Sequence, residues 1–211
     1  MSKDCGRHRR ELFIRRLLYV LLLLVILILI AILVVYLVLK PTKPKFYLQD
    51  ARVIRFNLTQ PNLLTSQLQV TISSHNPNDR ISVLYSNLRV YASYNYQQIT
   101  LSSPIPPVYQ GHNDVDVWSP YLSGDGIPIA PFLGQMLTED EADGYFFLWV
   151  KVEGKLKWRV GSWTSGFYQL FVNCPAYLLF DRGGGGSNSG GGVESAVGIK
   201  FQQVSTCSVD V

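Results

Sequence analysis

The chain is 211 residues long, with 47% hydrophobic residues, 16% charged residues and a formal net charge of +4. This length allows one domain together with some additional segments. The first 16 residues carry six Lys or Arg residues and two acidic ones, so they account for the whole net charge. The rest of the chain has neither a net basic charge nor a clustered basic stretch, which excludes a typical nucleic-acid-binding domain.

A continuous apolar run covers residues 17–39, which are 23 residues without a charge, an amide, Gly or Pro. As a helix this run reaches about 35 Å at ~1.5 Å per residue. That length exceeds the ~30 Å hydrocarbon core of a bilayer. The run ends in the bulky sequence VVYLVL rather than in the small residues of a cleavage site. We therefore predict an uncleaved signal-anchor helix at residues 17–39.

The charges flanking this run indicate its orientation. Five basic residues lie in the ten positions before it and three in the ten positions after it, which favours a cytoplasmic N-terminus. We predict a cytoplasmic basic tail at 1–16, a stalk at 40–46 and an exoplasmic domain at 47–211. Asn57 lies in the chain's one Asn-x-Ser/Thr sequon and is the predicted glycosylation site. Cys5, close to the predicted anchor, is either an inert thiol or a site of reversible palmitoylation.

Beyond the stalk the pattern is almost entirely β. Apolar residues alternate with other residues, as at Leu88, Val90, Ala92 and Tyr94. Turn residues separate these stretches at intervals of roughly ten to fifteen residues, the spacing of an antiparallel sandwich or barrel. The predicted strands are residues 48–58, 64–74, 81–85, 88–96, 115–118, 145–152, 156–163, 167–174 and 197–211.

Three segments carry additional expectations. Residues 131–144 have the spacing of a short amphipathic helix. Residues 183–192, GGGGSNSGGG, predict a flexible hairpin loop. Residues 145–150, YFFLWV, are apolar at every position, so we predict a strand buried on both faces, with an aromatic binding surface as the alternative.

The two cysteines beyond the anchor, Cys174 and Cys207, form an even pair where oxidation is possible. Their midpoint falls inside the Gly-rich tract, as expected for two strands of one hairpin. We predict a disulfide between them. The alternative is two buried, reduced thiols at separate core positions.

The histidines suggest sites that their surroundings do not support. His75 and Asp79 flank an Asn-Pro-Asn turn, and His112, Asp114 and Asp116 have the alternate spacing of residues on one face of a strand. No known metal-ligand spacing, nucleophile motif or phosphate-binding loop accompanies these residues. We therefore expect no catalytic activity, no cofactor and no metal.

The stretch SSHNPNDRIS is better explained as the end of a strand and a turn. Pro77 cannot donate a ladder hydrogen bond and biases Asn76 toward extended backbone. Asn78 and Asp79 bond readily to nearby backbone. We predict a structural role for Asn76, Pro77 and Asn78.

Several segments, taken in order, resemble the plant NDR/HIN-like (NHL, harpin-induced-like) family, whose exoplasmic part belongs to the late-embryogenesis-abundant type 2 domains. After an N-terminal anchor, NPN ends an early strand. The further matching segments are VYASYNYQQI (90–99), PPVYQGHNDVDV (106–117), KWRVGSWTSGFYQLFVNC (157–174) and CSVDV (207–211).

The resemblance implies an immunoglobulin-like or fibronectin-like antiparallel β-sandwich at the plant plasma membrane, linked to defence and stress responses. It also implies contact between plasma membrane and cell wall, and a location that can include plasmodesmata. We therefore expect a non-enzymatic, single-pass surface protein. Its expected partners are cell-wall components or other membrane proteins. The alternative is a lipid-handling module whose β-domain holds acyl chains in an apolar groove.

Overall fold

The structure is a computed structural model that describes residues 4–38, 41–59, 62–181 and 198–211. The chain divides into two compact units, Met1–Pro41 and Thr42–Val211. The predicted glycine-rich loop at 183–192 lies outside the described residues.

The first unit contains one α-helix, α1 (Asp4–Val38). Its segment Phe13–Leu33 is long and apolar enough to cross a membrane, as predicted. The helix begins well before residue 17, and the five Arg residues between Asp4 and Arg16 favour helix.

The second unit consists of antiparallel β-structure with one short helix, α2 (Pro131–Asp143). This arrangement confirms the predicted all-β fold preceded by a single apolar helix. The strands in the described residues are β1 (Lys45–Thr59), β2 (Leu63–His75), β3 (Ser82–Tyr94), β4 (Gln97–Gln98), β5 (Ser103–Ile105), β6 (Val108–Gln110), β7 (Val115–Trp118), β8 (Tyr121–Pro128), β9 (Tyr145–Val160), β10 (Trp163–Thr164), β11 (Tyr168–Asp181), β12 (Gly198–Phe201), β13 (Ser205–Thr206) and β14 (Ser208–Asp210).

The strands form two sheets. One has the order β13-β1-β2-β7, with β8 also paired to β2. The other has the order β12-β11-β9-β3-β4, with β10 on β9, β14 on β11, and β5 and β6 on β3. We call these the five-stranded and the nine-stranded sheet.

The core is built from alternate residues of the long strands. Leu68, Val70 and Ile72 of β2 are fully buried, as are Val90 of β3 and Val150 of β9. Because side chains alternate across a strand, burying one face leaves the other face of each sheet outward. Each fully buried aliphatic side chain contributes about 1.5–3 kcal/mol.

Helix α2 matches the helix predicted for 131–144. It begins at Pro131, which suits the first helical position, and buries Leu133 and Leu137 one turn apart. Gly144 ends it with a left-handed backbone (φ 86°), and its N–H donates to the carbonyl of Asp140.

Several predicted strand boundaries are wrong. The stretches 81–85 and 88–96 are one strand, β3, and the stretches 145–152 and 156–163 are one strand, β9. The interruptions come from a β-bulge, where the pairing of β3 with β9 shifts between Ser86 and Arg89. Strand β8 was not predicted, and β1 begins at Lys45, inside the predicted stalk.

The predicted C-terminal strand, 197–211, is three short strands. β12 pairs with β11, β13 crosses to β1 in the other sheet, and β14 returns to β11. The chain end therefore joins the two sheets.

Candidate functional site

The predicted turn residue Asn76 is the centre of a buried hydrogen-bond network. Its side chain is completely buried. Its Nδ2 donates to the carbonyls of Ile81 (2.8 Å) and Gly111 (2.7 Å). Its Oδ1 accepts from the backbone N–H (3.2 Å) and the side-chain amide (2.8 Å) of Asn78. All the hydrogen-bonding capacity of the Asn76 amide is used, as a structural role requires.

Asn78 fixes the point where the β-domain begins. Its Oδ1 accepts from the backbone N–H of Thr42 (2.8 Å), and its Nδ2 donates to the Thr42 carbonyl (2.8 Å). The amide side chain thus pairs with Thr42 as a neighbouring strand would. This pairing holds the first residue of the second unit against the turn.

The residues around this turn do not assemble a catalytic group. His75 is half-buried at the end of β2, and Asp79 is exposed and accepts a hydrogen bond from Asn113 (2.7 Å). His112 is exposed in the turn before β7. Nothing in the described part of the chain joins the two histidines into one site.

The predicted alignment of His112, Asp114 and Asp116 on one strand face is wrong, because β7 begins only at Val115. Asp114 instead accepts from the N–H groups of Gly111 (3.3 Å) and Val115 (2.9 Å) and closes the turn. Burial, and then the charge of Asp114, raise the pKa of Asp116. Among the described residues, no group of three or more His, Cys, Asp or Glu is placed to hold a metal ion.

Cys174 and Cys207 are adjacent and joined in the structure, with their Cα atoms 4.2 Å apart. Cys207 lies between β13 and β14, where the chain passes from one sheet to the other, and its N–H donates to the carbonyl of Phe46 (2.9 Å). The two residues therefore meet at a crossing between sheets rather than inside a regular hairpin ladder. Their oxidation in the cell stays a prediction.

The two modification candidates have different positions. Asn57 is exposed near the end of β1, where an oligosaccharide has room. Cys5 lies in the first turns of α1. Glycosylation of Asn57 and acylation of Cys5 stay predictions.

The expectation that residues 145–150 form a strand buried on both faces is wrong. Phe146 and Leu148 point into the core, but Phe147 and Trp149 are only half-buried, and Tyr145 is 58% exposed. These three aromatic residues lie on the outer face of the nine-stranded sheet. The alternative, an aromatic surface, describes this strand better.

The same outer face carries a groove that the sequence did not reveal. Its volume is about 290 Å³, and it is lined by Asn87, Arg89, Glu153, Gly154, Lys155, Gln169 and Phe171. Three of these residues are direct cross-strand neighbours, since Glu153 pairs with Arg89 on one side and with Phe171 on the other. We call this cavity the outer groove.

A β-bulge shapes the outer groove. Asn87 and Leu88 oppose the single residue Gly154, and Asn87 adopts a left-handed backbone (φ 53°). A Cβ on Gly154 would lie 2.6 Å from Leu88 Cδ2 and 3.1 Å from the Asn87 carbonyl oxygen, so any larger residue at position 154 would have to displace Leu88 and the backbone of the bulge. Bulges redirect side chains at sheet surfaces, and this one places Asn87 and Arg89 at the groove.

Charge in the outer groove is mostly positive. Arg89 and Lys155 contribute two cations against the carboxylate of Glu153, and Lys151 adds a third cation on the same face. The hydroxyl of Tyr91 donates to Glu153 Oε1. Burial, followed by this hydrogen bond and the carboxylate charge, raises the pKa of Tyr91 to about 12.

Aromatic side chains extend along the same face beyond the groove. Phe147 contacts Trp149 edge-to-face at 5.1 Å between ring centroids and lies 4.9 Å from the ring of Tyr177. At the other end, Lys157 Nζ lies 3.9 Å from the centre of the Phe167 ring, a cation–π distance. The lining of the groove is charged and amide-rich, so it does not favour the lipid-handling alternative, which needs an apolar groove.

Comparison with known proteins identifies the relatives of this chain. It is 44% identical over 214 aligned residues to NDR1/HIN1-like protein 1 of Arabidopsis thaliana, covering 99% of this chain and 100% of that protein. It is 44% identical to NDR1/HIN1-like protein 12 (83% of this chain, 81% of the relative) and 37% identical to NDR1/HIN1-like protein 26 (69% of each), both also of Arabidopsis thaliana.

Two further comparisons add little. No protein-family model matches the chain. A solved structure of a protein from Archaeoglobus fulgidus aligns with a TM-score of 0.29 and 11% identity, covering 58% of this chain and 91% of that one, a score too low to support an argument. The 44% identity to NDR1/HIN1-like protein 1 over nearly the full chain is sufficient by itself: this chain belongs to the NDR1/HIN1-like family.

Proposed function

We propose that this chain is a single-pass plasma-membrane protein of plant defence and stress responses, present also at plasmodesmata. In this proposal it acts without catalysis, as a surface interaction protein that ties the membrane to the cell wall. The observation that carries the proposal is the 44% identity to an NDR1/HIN1-like protein over 99% of this chain. The partners in this proposal are cell-wall components or other membrane proteins.

The composition of the two units supports this role. An apolar helix of membrane-spanning length precedes a compact β-domain that begins at Thr42. In our proposal residues 1–16 are cytoplasmic and the β-domain is outside. A tether needs a membrane attachment and an outward binding surface on one polypeptide, and the outer groove is a candidate for that surface.

Topology is tested by treating intact protoplasts with protease. We expect a C-terminal tag to be removed and an N-terminal tag to be protected, and the opposite pattern would contradict the proposal. A glycosidase-sensitive mass shift that is lost in Asn57→Gln would place Asn57 outside the cytosol independently.

Tethering is tested by plasmolysis of plant cells that lack the protein. We expect fewer strands joining the retracting membrane to the wall than in control cells. The full chain should restore them, whereas residues 1–41 fused to a fluorescent protein should not. An unchanged number of strands in cells without the protein, verified to have no relative expressed in its place, would contradict the tether.

A further inference from the structure

We propose that the outer groove binds the uronic acid residues of an acidic polysaccharide. Arg89 and Lys155 pair with the carboxylates of the sugar, and the ring of Phe171 packs against a sugar face. This inference rests on the proposed function, because it names the class of wall component that the β-domain holds.

The charges of the groove select an anionic ligand. Within the described residues, Arg89, Lys151 and Lys155 have no carboxylate at ion-pair distance. The acidic residue of the groove, Glu153, is held by the Tyr91 hydroxyl. The surplus of cations is complementary to carboxylates, and the planar fork of Arg89 suits bidentate pairing with one of them.

The uncharged lining selects a ligand rich in hydroxyl groups. Asn87 and Gln169 are exposed at the groove, and each amide can both donate and accept. Phe171 is 47% exposed beside them and offers an apolar ring face. Cations, amides and one open aromatic ring together match a sugar that carries both hydroxyl and carboxylate groups.

The shape of the face selects a polymer rather than a single sugar. Alternate residues of β9 from Phe147 to Lys157 lie on the outer face. At ~3.3 Å per residue this strip is about 33 Å long, much longer than one sugar ring. The outer groove lies within the strip, with Lys157 on one side of it and Lys151 and the aromatic residues on the other. An extended chain of uronic acid residues can follow β9 across several of these side chains.

The test uses the full chain in phosphatidylcholine nanodiscs, which supply no anionic lipid. The probe is a linear oligomer of galacturonic acid, and the same oligomer as its methyl ester is the uncharged control. We expect the free acid to bind and the ester to bind much more weakly. Raising the salt concentration should weaken the binding of the free acid, because salt screens exposed charges.

Variants then locate the binding surface. Arg89→Gln and Lys155→Gln should each weaken binding about tenfold, the size of one charge-assisted hydrogen bond. Arg52→Gln, which removes an exposed cation from β1 in the five-stranded sheet, is the matched control and should bind like the parent chain. Phe171→Ala should weaken binding several-fold, and Tyr121→Ala, also 47% exposed but on β8, should not.

Three results would overturn the inference. One is equal binding of the ester and the free acid. Another is an equal loss of oligomer affinity in Arg52→Gln and Arg89→Gln, with folding of each variant verified by circular dichroism. The third is Arg89-dependent binding to phosphatidylserine vesicles without binding to the oligomer, which would make an anionic membrane the partner.

Plasmolysis separates this inference from the proposed function. If the chain does not bind the oligomer but cells that contain it keep the normal number of membrane–wall strands on plasmolysis, the polysaccharide site is refuted and the tether is not. If the oligomer binds at the outer groove but cells without the protein keep the same number of membrane–wall strands, the polysaccharide site is supported and the tether is contradicted.

Discussion

Replacing Asn76 with Ala should destabilise the β-domain more than any change of an exposed polar side chain. The amide of Asn76 is completely buried and makes four hydrogen bonds. Two of its acceptors, the carbonyls of Ile81 and Gly111, lose this donor in the variant. Asn78 loses its acceptor at the same time, and with it part of the geometry that holds Thr42.

The size of the effect follows from the groups left without a partner. A buried polar group that loses its hydrogen bond costs about 1–3 kcal/mol. Two carbonyls and a weakened Asn78 contact give about 3 kcal/mol in total, allowing for partial rehydration. For a domain of this size each kcal/mol lowers Tm by about 2–4 °C, so we expect a fall of about 6–12 °C.

The measurement is thermal unfolding of the full chain in detergent, followed by tryptophan fluorescence. All four tryptophans lie in the second unit, so the signal reports the β-domain. Gln135→Ala is the control, because Gln135 is exposed on α2 and its side chain makes one hydrogen bond, to Glu139. If the two variants melt within about 2 °C of each other, less than the shift expected for 1 kcal/mol, the structural role assigned to Asn76 is refuted.

Three other predictions concern stability. Replacing Cys174 and Cys207 with Ser should cost roughly 3–4 kcal/mol in the chain-entropy model for their separation of 33 residues; free labelling of both thiols without reductant would contradict the disulfide. Gly154→Ala should cost about 1–3 kcal/mol through the clash opposite the bulge, whereas Gly166→Ala, with nothing within 4 Å of the new Cβ, should be nearly neutral. The pKa of Tyr91 is raised to about 12 in the folded chain, against ~10 in the unfolded chain. The contribution of Tyr91 to stability is therefore complete below pH ~10 and falls as the pH rises toward 12. Tyr91→Phe should make this alkaline loss of stability, measured by denaturation at several pH values, less steep.

The fold could be predicted from the sequence where period and composition agree. Strict alternation of apolar residues was sufficient to predict β2, and the apolar run at residues 17–39 was sufficient to predict a membrane-length helix. The spacing of apolar residues, with Pro131 and Gly144 at the two ends, was sufficient to predict α2. Prediction failed where a glycine lies inside a strand because a residue distant in sequence occupies the space that a side chain would need. Gly154 looks like a strand end, yet it lies inside β9 because Leu88 occupies the space of its side chain. Gly124 in β8 has the same cause, since a Cβ there would lie 2.4 Å from the Ile99 carbonyl oxygen.

The outer groove could not be predicted because no single stretch of sequence contains it. Arg89, Glu153 and Phe171 come from three strands, and only the register of β3, β9 and β11 makes them neighbours. The alternating cations of KVEGKLKWR were visible in the sequence. Which face of β9 they occupy, and which residues face them, depends on long-range pairing that local patterns do not encode.

The bulge couples the stability of the nine-stranded sheet to its outer surface. Leu88 is buried to 1% exposure and fills the space opposite Gly154, while the residue before it, Asn87, turns outward through its left-handed backbone. A larger residue at position 154 would displace Leu88 from the core and Asn87 from the groove together. Gly154 is therefore a residue at which folding and binding impose the same requirement, although its own backbone never needs to contact a ligand. Exposed groove residues such as Arg89 and Phe171 carry no such double requirement, so binding can be altered through them while the core stays intact.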